Sequence, residues 1–201
     1  MNQNLLPVME TFYSIQGEGE YQGHAAFFLR LAGCDVGCVW CDVKESWTVS
    51  ENQYRQIDDI INEIKLNNAK IVVVTGGEPL MYNCSFLTQK LHQAGLRTHL
   101  ETSGTYPISG DWDWICVSPK KFKKPLESVL QKASELKVVI YHKSDLKWAM
   151  EHAEKVNKDC ILFLQAEWSK EKEMLNLITP FIQQNPQWKL SLQIHKYLGV
   201  R

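Results

Sequence analysis

Residues 71–79 read I-V-V-V-T-G-G-E-P, a β-branched run that passes directly into a glycine-rich turn. Such a run is typical of a short strand buried on both faces, and the turn marks its carboxyl end. Six further apolar runs have the same character, at residues 26–31, 98–102, 114–118, 136–140, 161–165 and 189–193. The sequence therefore predicts a sheet of short buried strands.

Amphipathic helices are predicted between most of these strands. Apolar residues recur at helical spacing over residues 57–64 and again over residues 175–182. Alternating strands and helices predict right-handed βαβ units and a mostly parallel sheet. A complete eightfold barrel needs about 250 residues. For 201 residues we expect an α/β fold, a partial TIM-like barrel of about six parallel strands with helices outside, forming one domain over residues 1–201.

Composition excludes several classes of protein. Lys and Arg total 22 against 23 for Asp and Glu, so the net charge of -1 does not favour nucleic acid or anionic membranes as partners. No run approaches the roughly 18 apolar residues of a membrane helix, and the first residues do not resemble a secretion signal. We therefore expect a cytoplasmic protein that binds neither nucleic acid nor membrane.

Three of the six cysteines lie close together, at Cys34, Cys38 and Cys41. Three thiolates can hold a [4Fe–4S] cluster and leave one iron open to a small molecule, whereas structural zinc normally has four protein ligands. A zinc site completed by His24 or His195 is the alternative. The isolated Cys84, Cys116 and Cys160 are expected to be small buried residues without chemistry.

Unusual residues follow four successive predicted strands. They are Cys34, the turn at residues 76–79, the pair Ser103-Gly104 and the pair Pro119-Lys120. Because the carboxyl ends of parallel strands meet at one edge of a sheet, we expect these residues to share one site.

The cysteine triplet, with Trp40 before its last member, together with Gly76-Gly77-Glu78-Pro79 resembles the radical S-adenosylmethionine enzymes. Segments 10–19, 28–31, 101–104 and 192–197 are similar to those of the 7-carboxy-7-deazaguanine synthase family. The resemblance implies a lyase that converts 6-carboxy-5,6,7,8-tetrahydropterin to 7-carboxy-7-deazaguanine with loss of ammonia, in queuosine biosynthesis. It also implies a flavodoxin-type electron donor and a homodimer.

The resemblance assigns the [4Fe–4S] cluster to the three cysteines and S-adenosylmethionine to a second group of residues. That group is Trp40, Cys41, Asp42, Gly76, Gly77, Glu78, Gly104, Ser118, Pro119, Lys120 and Gln165. The glycines would let the backbone approach the cofactor, and Glu78 would accept a hydrogen bond from its ammonium. Gln165 is equally explained as a polar residue that ends a buried strand.

The substrate is assigned by the same resemblance to Ile15, Gln16, Gly17, Glu18, Arg30 and Thr102. Arg30 suits a carboxylate because a guanidinium donates two parallel hydrogen bonds. The alternative is an internal salt bridge of Arg30 with Glu10 or Glu18. His195 and Lys196 would close the pocket, or they are surface residues at a strand end.

One position departs from the family pattern. The last cysteine is usually followed by Asp-Thr, and the threonine hydroxyl ligates Mg²⁺, but this chain has Val43. Valine has no oxygen for a cation that requires oxygen ligands. Water replaces the hydroxyl, the metal dependence is weakened, or the function has changed, so Mg²⁺ is in doubt.

Two other functions remain open. A glycyl-radical activating enzyme, acting on a protein, should lack the segment at residues 14–19. A non-catalytic zinc or iron–sulfur module would be distinguished by its colour, because a zinc site is colourless.

Overall fold

Residues 4–201 are described here by a computed structural model, in which nine strands form one sheet. The strands are β1 (Leu5–Ile15), β2 (Ala25–Leu31), β3 (Tyr54–Gln56), β4 (Ile71–Gly76), β5 (Arg97–Thr102), β6 (Trp114–Val117), β7 (Glu135–Ile140), β8 (Ile161–Ala166) and β9 (Trp188–Ser191). Their order in the sheet is β3-β1-β2-β4-β5-β6-β7-β8-β9. The α-helices are α1 (Ile57–Lys65), α2 (Ser85–Gln93), α3 (Glu127–Leu130), α4 (Ser144–Ala153), α5 (Glu171–Gln184) and α6 (Ile194–Leu198).

The parallel part of the sheet confirms the predicted partial barrel. β2 and β4 to β9 pair in parallel, which makes seven parallel strands where about six were expected. The sheet stays open, because β3 and β9 stand at its two ends without pairing with each other. All seven apolar runs therefore form strands.

Strands β1 and β3 were not predicted. β1 runs antiparallel to both β2 and β3. Its sequence contains Pro7 and Glu10, and most of its residues after Val8 are partly exposed, so it lacks the continuous apolar character of a central strand. Pro7 has no N–H to donate, but its carbonyl oxygen accepts a hydrogen bond from the N–H of Ala32, at 2.8 Å.

Helices cover the outer face of the sheet and bury its apolar residues. Leu136, Val138 and Ile140 of β7 are fully buried in a core that includes Ile178 of α5. A second core packs Ile57 and its helical neighbours on α1 against β2 and β4, which confirms both predicted helical stripes. None of the helices within residues 4–201 is long and apolar enough to span a bilayer.

Two segments outside the parallel strands cover the interior of the open barrel: the connection after β1 and the C-terminal segment. Ile15 lies level with Ala25, at the opposite end of β2 from Cys34. The connection after Ile15 then crosses the interior, where the N–H of Gly19 donates to Ser191 Oγ at 3.0 Å. The C-terminal segment lies beside it, and the N–H of Ile194 donates to the Gly17 carbonyl at 3.0 Å.

Candidate active site

A cavity of about 270 Å³ opens at the carboxyl ends of the parallel strands. The strand-end loops form its rim, and the connection after β1 forms its floor. Most of the predicted site residues line it: Ile15, Gln16, Gly17, Glu18, Arg30, Cys34, Cys38, Trp40, Cys41, Asp42, Gly76, Gly77, Thr102, Ser118, Lys120 and Gln165. The structure thus brings the predicted cofactor and substrate residues to one place.

The cysteine loop forms one side of this cavity. Cys34, Cys38 and Cys41 all have free thiols. Burial raises the pKa of Cys34 and raises that of Cys38 to about 11, so these thiols are neutral until a metal supplies positive charge. The loop offers soft sulfur ligands next to a cavity large enough for a small molecule, which fits an iron–sulfur cluster with one open iron.

The zinc alternative has little support from this geometry. Among residues 4–201, no three His, Cys, Asp or Glu side chains converge closely enough to hold a single ion. His24 lies next to β2 at the end opposite the cysteine loop and contacts the Tyr21 carbonyl. Three ligands of a cube bind three different irons, so they need not converge on one point.

Gly76 and Gly77 are required by the fold of the rim itself. Gly76 has φ +121°, and a Cβ there would lie 2.3 Å from the Leu31 carbonyl oxygen. A Cβ on Gly77 would lie 2.1 Å from the carbonyl oxygen of Gly33, just before Cys34. The two glycines therefore let the turn after β4 pack against the start of the cysteine loop, a reason that the sequence did not reveal.

Glu78 lies behind the cavity wall and does not line it. Its side chain is 1% exposed. Oε1 accepts hydrogen bonds from the Leu80 N–H at 3.0 Å and the Thr102 hydroxyl at 2.5 Å, while Oε2 accepts from the N–H and hydroxyl of Ser103. The carboxylate thus joins the turns after β4 and β5, and the Thr102 hydroxyl is engaged in the same network.

Two other predicted cofactor residues also lie outside the cavity lining, namely Gly104 and Pro119. Gly104 has φ +79°, and its carbonyl oxygen accepts a hydrogen bond from Leu126 N–H at 2.8 Å. Ser118, which precedes Pro119, does line the cavity, and its hydroxyl accepts a hydrogen bond from Lys120 Nζ at 2.5 Å. Gly104 and Pro119 shape the loops that carry Ser103 and Ser118.

Lys120 stands beside the cysteine loop. Its Nζ lies 5.5 Å from the centre of the Trp40 ring, a cation–π distance, and burial lowers its pKa. Gln165 lies across the cavity, where its Oε1 accepts a hydrogen bond from Ser191 Oγ at 2.7 Å. Because Ser191 also binds Gly19, Gln165 helps to hold the floor in place.

The buried pair Glu18–Lys137 lies at the floor, and Lys137 was missed from the sequence. Lys137 is 4% exposed, and its Nζ donates to Glu18 Oε2. Burial alone would raise the pKa of Glu18, but Lys137 and the Gln193 amide, which donates at 2.7 Å, hold it at about 2. Burial opposes the charge of Lys137, but Glu18 and the other nearby carboxylates outweigh it and keep the pKa of Lys137 well above its ordinary value.

A sequence signal for Lys137 was present. Lys137 and Glu135 are the two charged residues of β7, and because they are two positions apart they lie on the same face of the strand. Gln193 and Glu101 were also not assigned to the site, although both line the cavity. Glu101 accepts hydrogen bonds from Gln16 Nε2 and Thr75 Oγ1, each at 3.0 Å.

Gly17 makes room for His195. A Cβ on Gly17 would lie 2.0 Å from His195 Nδ1, so any larger residue would displace the imidazole. Burial lowers the pKa of His195, although Glu18 partly opposes this effect. His195 and Lys196 both line the cavity, as expected for residues that close it.

Arg30 makes the predicted internal contact and still faces the cavity. Its Nε lies 2.9 Å from Glu10 Oε1, but the N–H does not point along that line, and Nε has no hydrogen-bond partner within residues 4–201. Glu10 is shared with the guanidinium of Arg201. The two guanidiniums therefore have one carboxylate between them, which favours a further anion in the cavity.

Comparison with known proteins identifies this arrangement. The model of the radical SAM superfamily matches residues 29–141. The 7-carboxy-7-deazaguanine synthase of Flavobacterium psychrophilum is 53% identical over 196 residues, covering 98% of this chain and 93% of the relative. The 7-carboxy-7-deazaguanine synthase of Synechocystis sp. is 47% identical over 195 residues, covering 97% of this chain and 93% of the relative.

A solved structure agrees with these relatives. The crystal structure of QueE from Escherichia coli superposes with a TM-score of 0.84 at 30% identity, covering 94% of each chain. The chain belongs to the 7-carboxy-7-deazaguanine synthase family of radical S-adenosylmethionine enzymes.

Proposed function

We propose that this enzyme converts 6-carboxy-5,6,7,8-tetrahydropterin to 7-carboxy-7-deazaguanine with loss of ammonia, in queuosine biosynthesis, with residues 1–201 acting as one radical SAM domain. The observation that carries the proposal is the shared cavity, where the cysteine loop faces the Gln16–Glu18 floor and Arg30. The names of the full-length relatives support it.

The rim residues fit the cofactors. Cys34, Cys38 and Cys41 would hold a [4Fe–4S] cluster, and Gly76, Gly77 and the loop to Lys120 would surround S-adenosylmethionine. When bound, the two cofactors together supply a 5′-deoxyadenosyl radical. Glu78 would position the Thr102-Ser103 turn and act on the cofactor only through it, because its oxygens already accept four hydrogen bonds.

The floor residues fit a flat, hydrogen-bonding ring. Glu18 is ionised and fixed by Lys137, so it can accept hydrogen bonds from guanidine-type nitrogens of a pterin. The side chain of Gln16 is held by Glu101, and its position beside Glu18 provides further polar contacts. These residues would orient the ring, exclude water and keep the hydrogen at C6 of the substrate facing the rim.

Mg²⁺ does not fit the residues present at the position that the family uses. Val43 lines the cavity with a hydrocarbon side chain, and the neighbouring Asp42 contacts the ammonium of Lys196. Mg²⁺ requires oxygen ligands, and of these two side chains only Asp42 has them, already in contact with an ammonium. Mg²⁺ therefore has no role in this site that the residues present support.

The remaining expectations concern partners and location. We propose a flavodoxin-type electron donor, a homodimer and a cytoplasmic location, all on the basis of the family. Nucleic acid and membranes are not proposed as partners, since the net charge is -1.

The direct test is anaerobic reconstitution with iron and sulfide, followed by reductant, S-adenosylmethionine and the carboxylated tetrahydropterin. Mass spectrometry should detect 7-carboxy-7-deazaguanine. If only 5′-deoxyadenosine forms, the radical chemistry stands and the substrate is wrong, which would favour a protein-activating enzyme. A colourless protein that binds zinc would contradict the enzyme assignment altogether.

A further inference from the structure

The cavity wall beside Val43 carries a positive charge of its own. Lys196 lies in α6 and lines the cavity. Its Nζ stands 3.3 Å from Oδ2 of Asp42, the residue before Val43, and 3.1 Å from Oε1 of Gln193. The ammonium therefore lines the same cavity as Val43 and contacts the residue that precedes it.

The charge of Lys196 is only weakly neutralised. The Asp42 side chain is 62% exposed, and 3.3 Å is longer than a strong charge-assisted hydrogen bond. Exposed ion pairs contribute little because solvent screens them. Lys137, by contrast, is fully engaged with the buried Glu18, so it is not available to a ligand in the same way.

A second cation that is only partly neutralised lies in the same cavity. Arg30 and Arg201 share the single carboxylate of Glu10, and the buried Nε of Arg30 has no hydrogen-bond partner within the described residues. Lys196 is fixed by Gln193 and by the Trp168 ring, whose centre is 5.0 Å from Nζ. Both cations are thus held in place before any ligand arrives.

From these contacts we infer that the ammonium of Lys196 and the guanidinium of Arg30 bind the carboxylate of the substrate directly, without a divalent cation. The inference rests on the proposed function, and it concerns how the same site recognises its anionic substrate. An ammonium replaces part of the charge of a metal ion, and it needs no oxygen ligand from residue 43. Val43 is then compatible with a working site.

The experiment is an equilibrium titration of the reconstituted enzyme with the carboxylated tetrahydropterin. S-Adenosylmethionine is present and reductant is omitted, so that no turnover occurs. In unmodified enzyme, the Kd should be the same within about twofold in EDTA and in MgCl2. Lys196→Met should raise the Kd about tenfold or more, the expected effect of losing one hydrogen bond to a charged group.

Three controls separate a direct contact from a structural effect. Lys189→Met removes a lysine that also has one carboxylate partner, Glu20 at 2.9 Å, but that lies outside the cavity lining. The Kd of this variant for the carboxylated tetrahydropterin should equal that of unmodified enzyme. Lys196→Arg should restore most of the affinity. A tetrahydropterin without the carboxylate should bind unmodified enzyme and Lys196→Met equally well. The absorption of the cluster should be the same in all variants.

Two results would overturn the inference. One is unchanged affinity in Lys196→Met, and the other is loss of binding to unmodified enzyme in EDTA that MgCl2 restores. Failure of the proposed function has a different signature: the unmodified enzyme would show no binding of the carboxylated pterin in any buffer and would make no deazaguanine product.

Discussion

The two faces of strand β7 have opposite chemistry. On the outer face, Leu136, Val138 and Ile140 are fully buried against helices. On the interior face, Glu135 and Lys137 are also buried but have ionisable side chains, and Val139 is the one apolar residue. The outer face stabilises the fold by burial of apolar surface. The interior face carries charged groups whose burial is costly unless each is paired with an opposite charge. The comparison indicates that the interior is retained for binding.

The largest effect is expected for Cys38→Ala, which changes a residue at the rim of the cavity. Loss of one of three thiolates should remove the brown absorption of the anaerobically reconstituted protein and all turnover. Cys116→Ala is the matched control, because Cys116 is a buried thiol of β6 that does not line the main cavity. That variant should keep its cluster. Equal spectra for Cys38→Ala and unmodified enzyme would contradict the cluster assignment.

Lys137→Met should destabilise the protein by about 3–5 kcal/mol, because Glu18 would be left as a buried charge without a cation. Urea denaturation of the reconstituted enzyme measures the change. Glu18→Gln in the same protein should recover part of that loss, since the double variant removes the charge of Glu18, while the buried Glu135 still loses its interaction with Lys137.

Leu136→Ala is the matched substitution on the outer face of β7, one residue from Lys137. It should cost about 2–5 kcal/mol through lost burial and a cavity, and Glu18→Gln should not reduce that cost. If Glu18→Gln rescues both variants equally, the two faces do not differ as described.

His99 makes the interior face sensitive to acid. Burial, with help from the charge of Arg97, lowers its pKa from 6.5 to about 4. The unfolded chain therefore binds the proton first, so the contribution of His99 to stability is complete above pH 6.5 and is lost as the pH falls toward 4. The loss should be on the order of 3 kcal/mol. His99→Leu should flatten the stability profile in this range; an unchanged profile would exclude His99 as the cause.

The smallest effect is expected for Arg30→Lys, which keeps the charge but loses the paired N–H groups. Turnover of the carboxylated pterin should fall about tenfold, while cleavage of S-adenosylmethionine without substrate persists. Arg55→Lys alters a comparable pair, Arg55–Glu63 at 2.6 Å, outside the cavity lining and should have no effect on turnover. Equal turnover in both variants would remove Arg30 from the substrate site.

The outer face and the rim could be predicted from the sequence, because apolar runs and helical stripes report burial directly. Parallel strands also place the residues that follow them at one edge, so Cys34, Gly76 and Lys120 could be grouped. The floor could not be predicted. β1 has no continuous apolar run, and its antiparallel direction puts Ile15 at the far end of the sheet from Cys34.

The charged side chains on the interior face were also not predicted from the sequence. The apolar run at residues 136–140 predicts a buried strand but not an interior charge, although alternation along a strand places Lys137 on the face opposite to its neighbours. The need for Gly77 and Gly17 also depends on non-local contacts, with Gly33 and His195, that periodicity cannot reveal.

The most direct test of the interior as the binding face is an anaerobic crystal structure of the reconstituted enzyme with S-adenosylmethionine and the carboxylated tetrahydropterin. The pterin ring should lie against the Gln16–Glu18 floor, with its carboxylate in contact with Arg30 and Lys196. Substrate density outside the cavity, or a carboxylate bound to a metal ion beside Val43, would contradict the account.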